Sequence, residues 1–274
     1  MEKQRYERPV IQKMNTGLMN KFGTKTENEP VTHIESVSVK GLLKDYGSPL
    51  FVISERQIRR NMQNAKRIFK TRYPKVQFAW SYKTNYMNAV CRIFDQVGSW
   101  DVVVSGFEYD KAIGNGVPGS KIIFNGPDKS DADLIKAAKN KSLIHIDHYD
   151  ELYSLIRLSE EHKLKPKVAI RVNMDTGIHP KWDRFGFNFE NGQAWNALTR
   201  ILNSENLELV GIHCHIGTFM LSTESYSIAA RNLCELAWAA RERFNKMVEY
   251  IELGGGFPST NTLKGEYLTG KDSE

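Results

Sequence analysis

The segment Phe78-Ala79-Trp80-Ser81-Tyr82-Lys83-Thr84-Asn85 carries one lysine where an apolar run ends and the chain turns polar. An ε-ammonium that loses hydration shifts toward its neutral, nucleophilic form, and carbonyl compounds capture such an amine as a Schiff base. A lysine at a strand end is more often a solvated surface residue. The segment therefore offers Lys83 as a candidate nucleophile that other residues must support.

The composition is that of an ordinary globular protein. The 274 residues are 41% hydrophobic and carry a net charge of +6, with no block of like charges that would indicate a nucleic-acid partner. The three cysteines lack CxxC spacing, which argues against a disulfide framework and a zinc cluster and favours a reducing compartment. Because neither a signal pattern nor an apolar run of membrane-spanning length is visible, the predicted location is the cytoplasm, without membrane association.

Apolar runs alternate with amphipathic stretches from Phe78 onward, which predicts parallel strands joined by helices. An open doubly wound sheet and a closed (β/α)8 barrel both satisfy this alternation. Helices are predicted at 130–139, 149–161, 193–202 and 226–244, and the predicted strands are 76–82, 100–104, 121–124, 143–146, 168–172, 207–215 and 248–253.

Seven strands leave an eight-stranded barrel one strand short, with two unpaired edges. We therefore expect an α/β protein with a TIM-type barrel that is truncated before its eighth strand. Residues 1–44 are expected to form an N-terminal extension that includes a short helix at 37–43, and residues 45–258 the barrel portion. Residues 259–274 are expected to be a polar tail or a truncated lid loop. A strand ending at Ile53 and a helix capped by Ser54 are predicted at the start of the barrel portion.

A second candidate site is Gly211-Ile212-His213-Cys214-His215-Ile216-Gly217-Thr218, where strand alternation places both histidines on one face. The pair could bind a metal, His213 could be a hydrogen-bonded core residue, or one imidazole could stack on an aromatic cofactor. In the last interpretation, Gly217 and Thr218 offer an amide and a hydroxyl to a phosphate. No metal site is predicted, because a catalytic zinc needs a third ligand and the neighbouring sequence offers none that is recognisable.

The segment Leu253-Gly254-Gly255-Gly256-Phe257 places three glycines directly after an apolar strand. Without Cβ atoms, backbone amides can approach an anion closely, although a flexible turn is an equally good interpretation of the triplet alone. Lys83, His215 and the triplet all follow predicted parallel strands. Active sites of barrels are built at that end of the strands.

With these motifs the chain resembles the fold-type III pyridoxal phosphate-dependent decarboxylases, a family with an alanine racemase-like barrel, and most nearly its diaminopimelate decarboxylase-like branch. The family's C-terminal β domain and its E-P-G-R-like motif have no counterpart in this sequence. The similar runs keep one order over about residues 45–258: Ser81-Tyr82-Lys83-Thr84-Asn85, Asp101-Val102-Val103-Val104-Ser105-Gly106-Phe107-Glu108, Phe124-Asn125-Gly126-Pro127-Asp128-Lys129-Ser130, Arg171-Val172-Asn173, Arg184-Phe185-Gly186, His213-Cys214-His215-Ile216-Gly217-Thr218 and Gly254-Gly255-Gly256-Phe257.

The resemblance implies that the chain binds pyridoxal 5'-phosphate. Lys83 would hold it as a Schiff base and His215 would stack against its ring, so these two are the expected catalytic residues. The other residues that the resemblance assigns to the cofactor site are Asp101, Arg171, Thr218, Gly254, Gly255 and Gly256.

The implied activity is decarboxylation of a basic or diamino amino acid by a cytoplasmic homodimer, with the conversion of meso-diaminopimelate to lysine favoured. Phe219-Met220 stands where a polar glutamine often follows in the family, which leaves the substrate open. A non-catalytic, cofactor-binding homologue or regulatory partner of a decarboxylase is the alternative. A single-domain pyridoxal phosphate homeostasis protein is a further one, but its characteristic motifs are not apparent.

Overall fold

A computed structural model describes residues 31–258, and residues 1–30 and 259–274 lie outside the described part. The described residues belong to two compact units, one that ends at Ile53 and one from Ser54 to Pro258. The predicted tail or lid loop and most of the predicted N-terminal extension therefore lie outside the described residues. The domain boundaries expected from the sequence stay predictions.

The first unit contains a small hairpin and one helix. Strands β1 (His33–Ile34) and β2 (Val37–Ser38) pair antiparallel, and helix α1 (Val39–Tyr46) follows directly, which confirms the predicted short helix. The predicted strand that ends at Ile53 is wrong, because residues 47–54 contain no strand. Apolar, β-branched residues do not form a strand without a neighbouring strand to bond to.

The second unit alternates helices and strands throughout. Its first helix is capped as predicted, since the Ser54 hydroxyl accepts a hydrogen bond from the Gln57 amide at 3.0 Å. In chain order the elements are α2 (Glu55–Arg72), β3 (Ala79–Ser81), α3 (Asn88–Gln96), β4 (Trp100–Val103), α4 (Gly106–Gly114), a 3₁₀ turn (Gly119–Lys121), β5 (Ile122–Phe124), α5 (Asp131–Lys139), β6 (Leu143–Ile146), α6 (Tyr149–Glu161), β7 (Lys167–Asn173), β8 (Phe187–Asn188), α7 (Gln193–Leu202), β9 (Glu208–Cys214), α8 (Thr223–Phe244) and β10 (Tyr250–Glu252).

The strands of this unit form one parallel sheet in the order β3-β4-β5-β6-β7-β9-β10, and the short β8 pairs with β7 alone. Apart from β8, each strand lies beside the next one in the chain. This is the strand order of a barrel, because the order in a doubly wound sheet reverses at a switch point. The predicted α/β class and TIM-type order are confirmed, with β3 and β10 as the two edges within the described residues.

The sheet is curled, because side chains from strands three places apart meet on its inner side. His145 on β6 and Glu252 on β10 are separated by β7 and β9, yet their Nε2 and Oε2 atoms lie 3.5 Å apart. In a flat sheet, strands three places apart are about 14 Å from each other. The strands therefore enclose part of a barrel interior.

The two faces of the sheet carry different side chains. On the outer face, Ile122, Ile144 and Ile170 are completely buried against the helices, within one continuous apolar core. The inner face has a small apolar cluster and a polar region. The apolar cluster consists of Val102, Ile123, Leu143 and Val210, and the polar region includes His145, Arg171, Asn173, His213 and Glu252.

The helices of the described residues include none that is long and apolar enough to cross a membrane. At 22 residues, α8 has the length for a span. It carries charged side chains along its sequence, such as Arg231, Glu235 and Arg241, and it packs one face on the sheet through Leu233 and Leu236. The helix therefore belongs to the outer layer of the barrel.

Candidate active site

Three segments that the sequence analysis selected meet at the carboxyl ends of the strands. Lys83 follows β3, His215 follows β9, and the glycine triplet follows β10. Electrostatic interactions join Lys83 to both Arg171 and His215, although three strands lie between β3 and β7 and four lie between β3 and β9. The curvature of the sheet brings these distant parts of the sequence together.

Lys83 extends from the turn after β3, and its side chain is exposed at the rim of the barrel. Partial burial and the charge of Arg171 lower the pKa of Lys83, while the Glu108 carboxylate raises it. The lower pKa increases the fraction of neutral, nucleophilic amine, and the exposure keeps that amine accessible. Both properties suit imine chemistry.

His215 is half-buried and neutral at physiological pH. Loss of hydration lowers its pKa to about 4, and the charge of Lys83 acts in the same direction. The Gly255 amide donates to Nδ1 at 3.4 Å, which leaves the ring proton on Nε2. The Trp182 ring meets the imidazole edge-on, with the centroids 6.3 Å apart. The ring is therefore held by the glycine turn and by an aromatic neighbour.

The glycine turn requires glycine at two of its three positions. Gly254 and Gly256 have φ angles of 68° and 88°, in the left-handed region that favours glycine. A Cβ on Gly256 would lie 2.1 Å from the Gly217 carbonyl oxygen, and one on Gly254 would lie 2.9 Å from Nδ1 of His215. A Cβ on Gly255 would meet nothing within 4 Å, so the middle of the turn faces open space. Backbone amides in such a turn can approach an anion closely.

Thr218 lies in the loop that follows β9, where it is exposed. The Met220 amide donates to the Gly256 carbonyl at 2.8 Å and thereby joins this loop to the glycine turn. On the other side of the turn, the Tyr226 hydroxyl donates to the Gly255 carbonyl at 2.9 Å. The structure thus brings Thr218 to the same end of the barrel as the glycine triplet.

Arg171 faces the barrel interior from β7 and is buried. Its Nη1 lies 3.6 Å from Oδ1 of Asp147, and its guanidinium carbon lies 4.7 Å from the centroid of the Phe185 ring. Burial lowers the pKa of Arg171 while the carboxylates of Asp147 and Glu252 raise it, and an arginine keeps its charge under such conditions. It is therefore a fixed positive charge near Lys83.

Asp101 is not part of this end of the barrel, and its predicted place in the cavity is wrong. Its Oδ2 accepts a hydrogen bond from the Tyr82 hydroxyl at 2.8 Å, on the side of β4 that faces the helices. Burial raises the pKa of Asp101 to about 6. Because successive side chains of a strand alternate between faces, Val102 takes the inward position that the motif suggested for Asp101.

Glu108 lies near Lys83, although it is not among the predicted site residues. It lies in the first turn of α4, where Oε2 accepts a hydrogen bond from the Val104 amide at 2.9 Å. Its charge acts on Lys83 and raises the pKa of that amine. The Ser105-to-Glu108 spacing is that of a helix capping box, a signal that could have placed this carboxylate at a strand end.

A second polar cluster lies deeper inside the barrel. Nδ1 of His213 is 3.3 Å from Oε1 of Glu252, and His145 approaches the other oxygen of the same carboxylate. No metal site was predicted, because the sequence near the two histidines offers no recognisable third ligand. The structure provides the missing ligands, because β6 and β10 place two further ligand-type side chains beside His213.

Known proteins resemble this chain over most of its described length. The family profile described as "Pyridoxal-dependent decarboxylase, pyridoxal binding domain" matches residues 55–269. Diaminopimelate decarboxylase of Bacillus methanolicus is 31% identical over 243 residues, which are 85% of this chain and 56% of the relative. The diaminopimelate decarboxylase of Methanocaldococcus jannaschii is 30% identical and covers 78% of this chain and 52% of the relative.

Solved structures give the same result for the fold. A crystal structure of diaminopimelate decarboxylase from M. jannaschii matches with a TM-score of 0.76 and 28% identity, over 83% of this chain and 55% of that chain. A crystal structure of SrLDC in complex with PLP and cadaverine, at 23% identity and a TM-score of 0.69 over 86% of this chain and 56% of that chain, shares the fold. The chain spans about half the length of the relatives that it matches.

The fold and the site define a parallel α/β barrel with an accessible lysine at the carboxyl ends of its strands. The chain belongs to the pyridoxal-dependent decarboxylase family and carries its pyridoxal-binding domain. Pyridoxal phosphate is therefore confirmed as the predicted cofactor. The described residues fit it: Lys83 is an accessible amine, His215 is a neutral ring, and the glycine turn faces open space at Gly255.

Proposed function

We propose that the protein decarboxylates a diamino amino acid with pyridoxal phosphate, and that meso-diaminopimelate is the preferred substrate. The observation that carries the proposal is the meeting of Lys83, His215 and the glycine turn at one end of the barrel. The substrate follows from the named function of the relatives at 30% and 31% identity. These relatives give no support to the non-catalytic alternative.

Bound pyridoxal phosphate supplies an electron sink for the pair of electrons that the departing carboxylate leaves on the substrate. Lys83 would hold the cofactor's aldehyde carbon through Nζ, and its exposure allows an incoming amino group to replace it. The lowered pKa of Lys83 increases the fraction of neutral Nζ, which can accept a proton during the reaction. Lys83 is therefore both the attachment point and a candidate proton carrier.

The remaining residues of the site would bind and orient the cofactor. His215 would contact its ring as a neutral imidazole, because a pKa of about 4 keeps it unprotonated. Thr218 and the amides of the triplet Gly254 to Gly256 would hold the phosphate. Arg171 would add a fixed positive charge to the anionic ligand from inside the barrel.

The homodimer and the cytoplasmic location belong to the same proposal. The homodimer rests on the resemblance to the decarboxylase family, and the cytoplasmic location rests on the cysteine pattern of the sequence. Light scattering coupled to gel filtration measures the dimer directly, and a monomer at micromolar concentration would contradict it.

The test of the cofactor site is borohydride reduction of the chain after incubation with pyridoxal phosphate, followed by peptide mass mapping. We expect selective labelling of Lys83, with Lys139, an exposed lysine on α5, as the internal control. Labelling spread over surface lysines would contradict the site. Carbon dioxide release from meso-diaminopimelate, lysine and ornithine by the full-length protein then tests the reaction, and a preference for another substrate would overturn that part.

A further inference from the structure

The cluster of His145, His213 and Glu252 has no role in the function proposed above. All three side chains face the barrel interior, and one ligand atom from each lies within 4.8 Å of the others. We propose that this cluster binds one divalent transition-metal ion, with Zn²⁺ as the preferred ion.

The donor atoms lie close enough together to share one ion, with each imidazole beside a different oxygen of the same carboxylate. Metal-to-ligand distances of about 2.0–2.1 Å place neighbouring ligands roughly 3.3–3.4 Å apart. Nδ1 of His213 lies 3.3 Å from Oε1 of Glu252, and Nε2 of His145 lies 3.5 Å from Oε2. Because β6, β9 and β10 are elements of one sheet, the backbone holds these donors without a flexible loop.

Two of the atoms that a metal would use have no hydrogen-bond partner in the described part of the chain, whereas the third, Nε2 of His145, lies 3.4 Å from the Tyr250 hydroxyl. Nδ1 of His213 and Oε2 of Glu252 are buried atoms without a hydrogen-bond partner among the described residues. An unpaired buried polar atom costs about 1–3 kcal/mol, so native structures usually satisfy such atoms with protein, water or an ion. One cation held between the three side chains would serve these atoms together, whereas otherwise each atom needs a partner of its own.

The ligand types of the cluster also suit a transition metal. Two imidazoles with one carboxylate favour a transition metal over Mg²⁺ or Ca²⁺, which prefer oxygen ligands.

Neighbouring groups support the ligands and also limit the affinity. The amide nitrogen of Asn125 lies 3.1 Å from Nε2 of His213, and a turn of that amide by 180° would bring its oxygen to accept the Nε2 proton when Nδ1 binds a metal. Arg171 opposes a cation because its charge reaches both Glu252 and His145. Asp147 lies beside that guanidinium and offsets part of its charge. An ion that binds nitrogen ligands strongly, such as Zn²⁺, is therefore needed to offset the repulsion from Arg171.

The experiment uses the untagged chain, freed of pyridoxal phosphate and metal, with Cys234→Ser to remove an exposed thiol. Equilibrium dialysis against Zn²⁺ measures the bound ion, and absorption of Co²⁺ in its place reports the ligand geometry. We expect one equivalent in a low-coordinate site. Glu252→Gln should abolish binding, and Asn125→Ala should weaken it about 10- to 100-fold.

His162→Ala, which removes an exposed histidine at the end of α6, is the matched control and should leave binding unchanged. Absence of bound metal in the unsubstituted cluster would overturn the proposal and would mean that water satisfies these atoms. Binding that persists in folded Glu252→Gln or His145→Gln chains would also overturn it. Because the measurement needs no cofactor, its failure would leave the proposed decarboxylase function untouched.

Discussion

Ile170 and Arg171 are neighbours on β7, yet they face opposite sides of the sheet. Ile170 is completely buried among apolar side chains between sheet and helices, whereas Arg171 faces the barrel interior and its charge reaches Lys83. The same division holds along β9, where Ile212 packs outward and His213 points inward. The outer face holds the fold together through apolar burial, and the inner face carries the titratable groups.

Asp101 and Val102 are exceptions to this division between the two faces. Asp101 is an acidic residue on the apolar outer face, and Val102 is an apolar residue on the inner face. Asp101 is tolerated because the Tyr82 hydroxyl donates to it, but burial still disfavours its charged form. A residue on the wrong face is therefore a place where stability should depend on pH.

Among substitutions of the titratable residues, Lys83→Ala should have the largest effect on cofactor binding. We expect complete loss of the absorbance of lysine-bound pyridoxal phosphate, because the substitution removes the amine that would attack the cofactor's aldehyde carbon. Stability should change by no more than about 0.5 kcal/mol, because the side chain is exposed. Absorbance spectra and urea unfolding measure the two effects, with Lys139→Ala as the control, and an unchanged spectrum would refute the assignment of Lys83.

Among substitutions on the outer face of the sheet, Ile170→Ala should have the largest effect on stability. Removing these buried carbons should lower the free energy of unfolding by about 2–5 kcal/mol through lost burial and a remaining cavity. Urea unfolding measures this loss. The matched control is Ile68→Ala on the exposed face of α2, which should cost about 0.5 kcal/mol or less. Equal losses at both positions would contradict the division between the faces.

Asp101→Asn should change the pH dependence of stability. The folded pKa of Asp101, about 6, lies above the ordinary value of 3.8, so the native state binds more protons than the unfolded state between these values. Stability from this group is therefore present at low pH and is lost as the pH rises through about 6. The variant should gain up to about 3 kcal/mol relative to the parent at pH 7 and little at pH 4. A constant difference at both pH values would contradict the buried, destabilised carboxylate.

His215→Ala should have the smallest effect of the four. Contact between an imidazole and an aromatic ring contributes about 0.5–1.5 kcal/mol, so cofactor retention should weaken roughly threefold to tenfold. His213→Ala should weaken retention less, because His213 bonds to Asn125 and lies beside Glu252 instead of the glycine turn. Dialysis of the loaded chains measures retention, and equal losses would argue against a direct contact of His215 with the cofactor.

Much of the fold follows from the sequence because its apolar periods are long and unbroken. The predicted strands at 143–146 and 168–172 agree closely with β6 and β7, and the predicted helix at 193–202 is α7. The strand predicted to end at Ile53 failed, since its apolar residues have no neighbouring strand. Local propensity predicts a strand, but only pairing forms one.

The candidate site was predictable where residues lie at strand ends in recognisable runs, as for Lys83 and the glycine turn. Asp101 was misplaced because a shift of one residue along a strand moves a side chain to the opposite face. His145 and Glu252 were missed because nothing near them in the sequence marks them as partners of His213.

The sequence by itself determined the order of strands and helices, the strand ends where the chemistry lies, and the family. These depend on local periodicity and on motifs that keep their order. Only the tertiary structure decided which side chains share the barrel interior, because the curvature of the sheet brings β6 and β10 together across two intervening strands. Distances across a curled sheet depend on the whole set of strands, so no single stretch of sequence encodes the meeting of His145, His213 and Glu252.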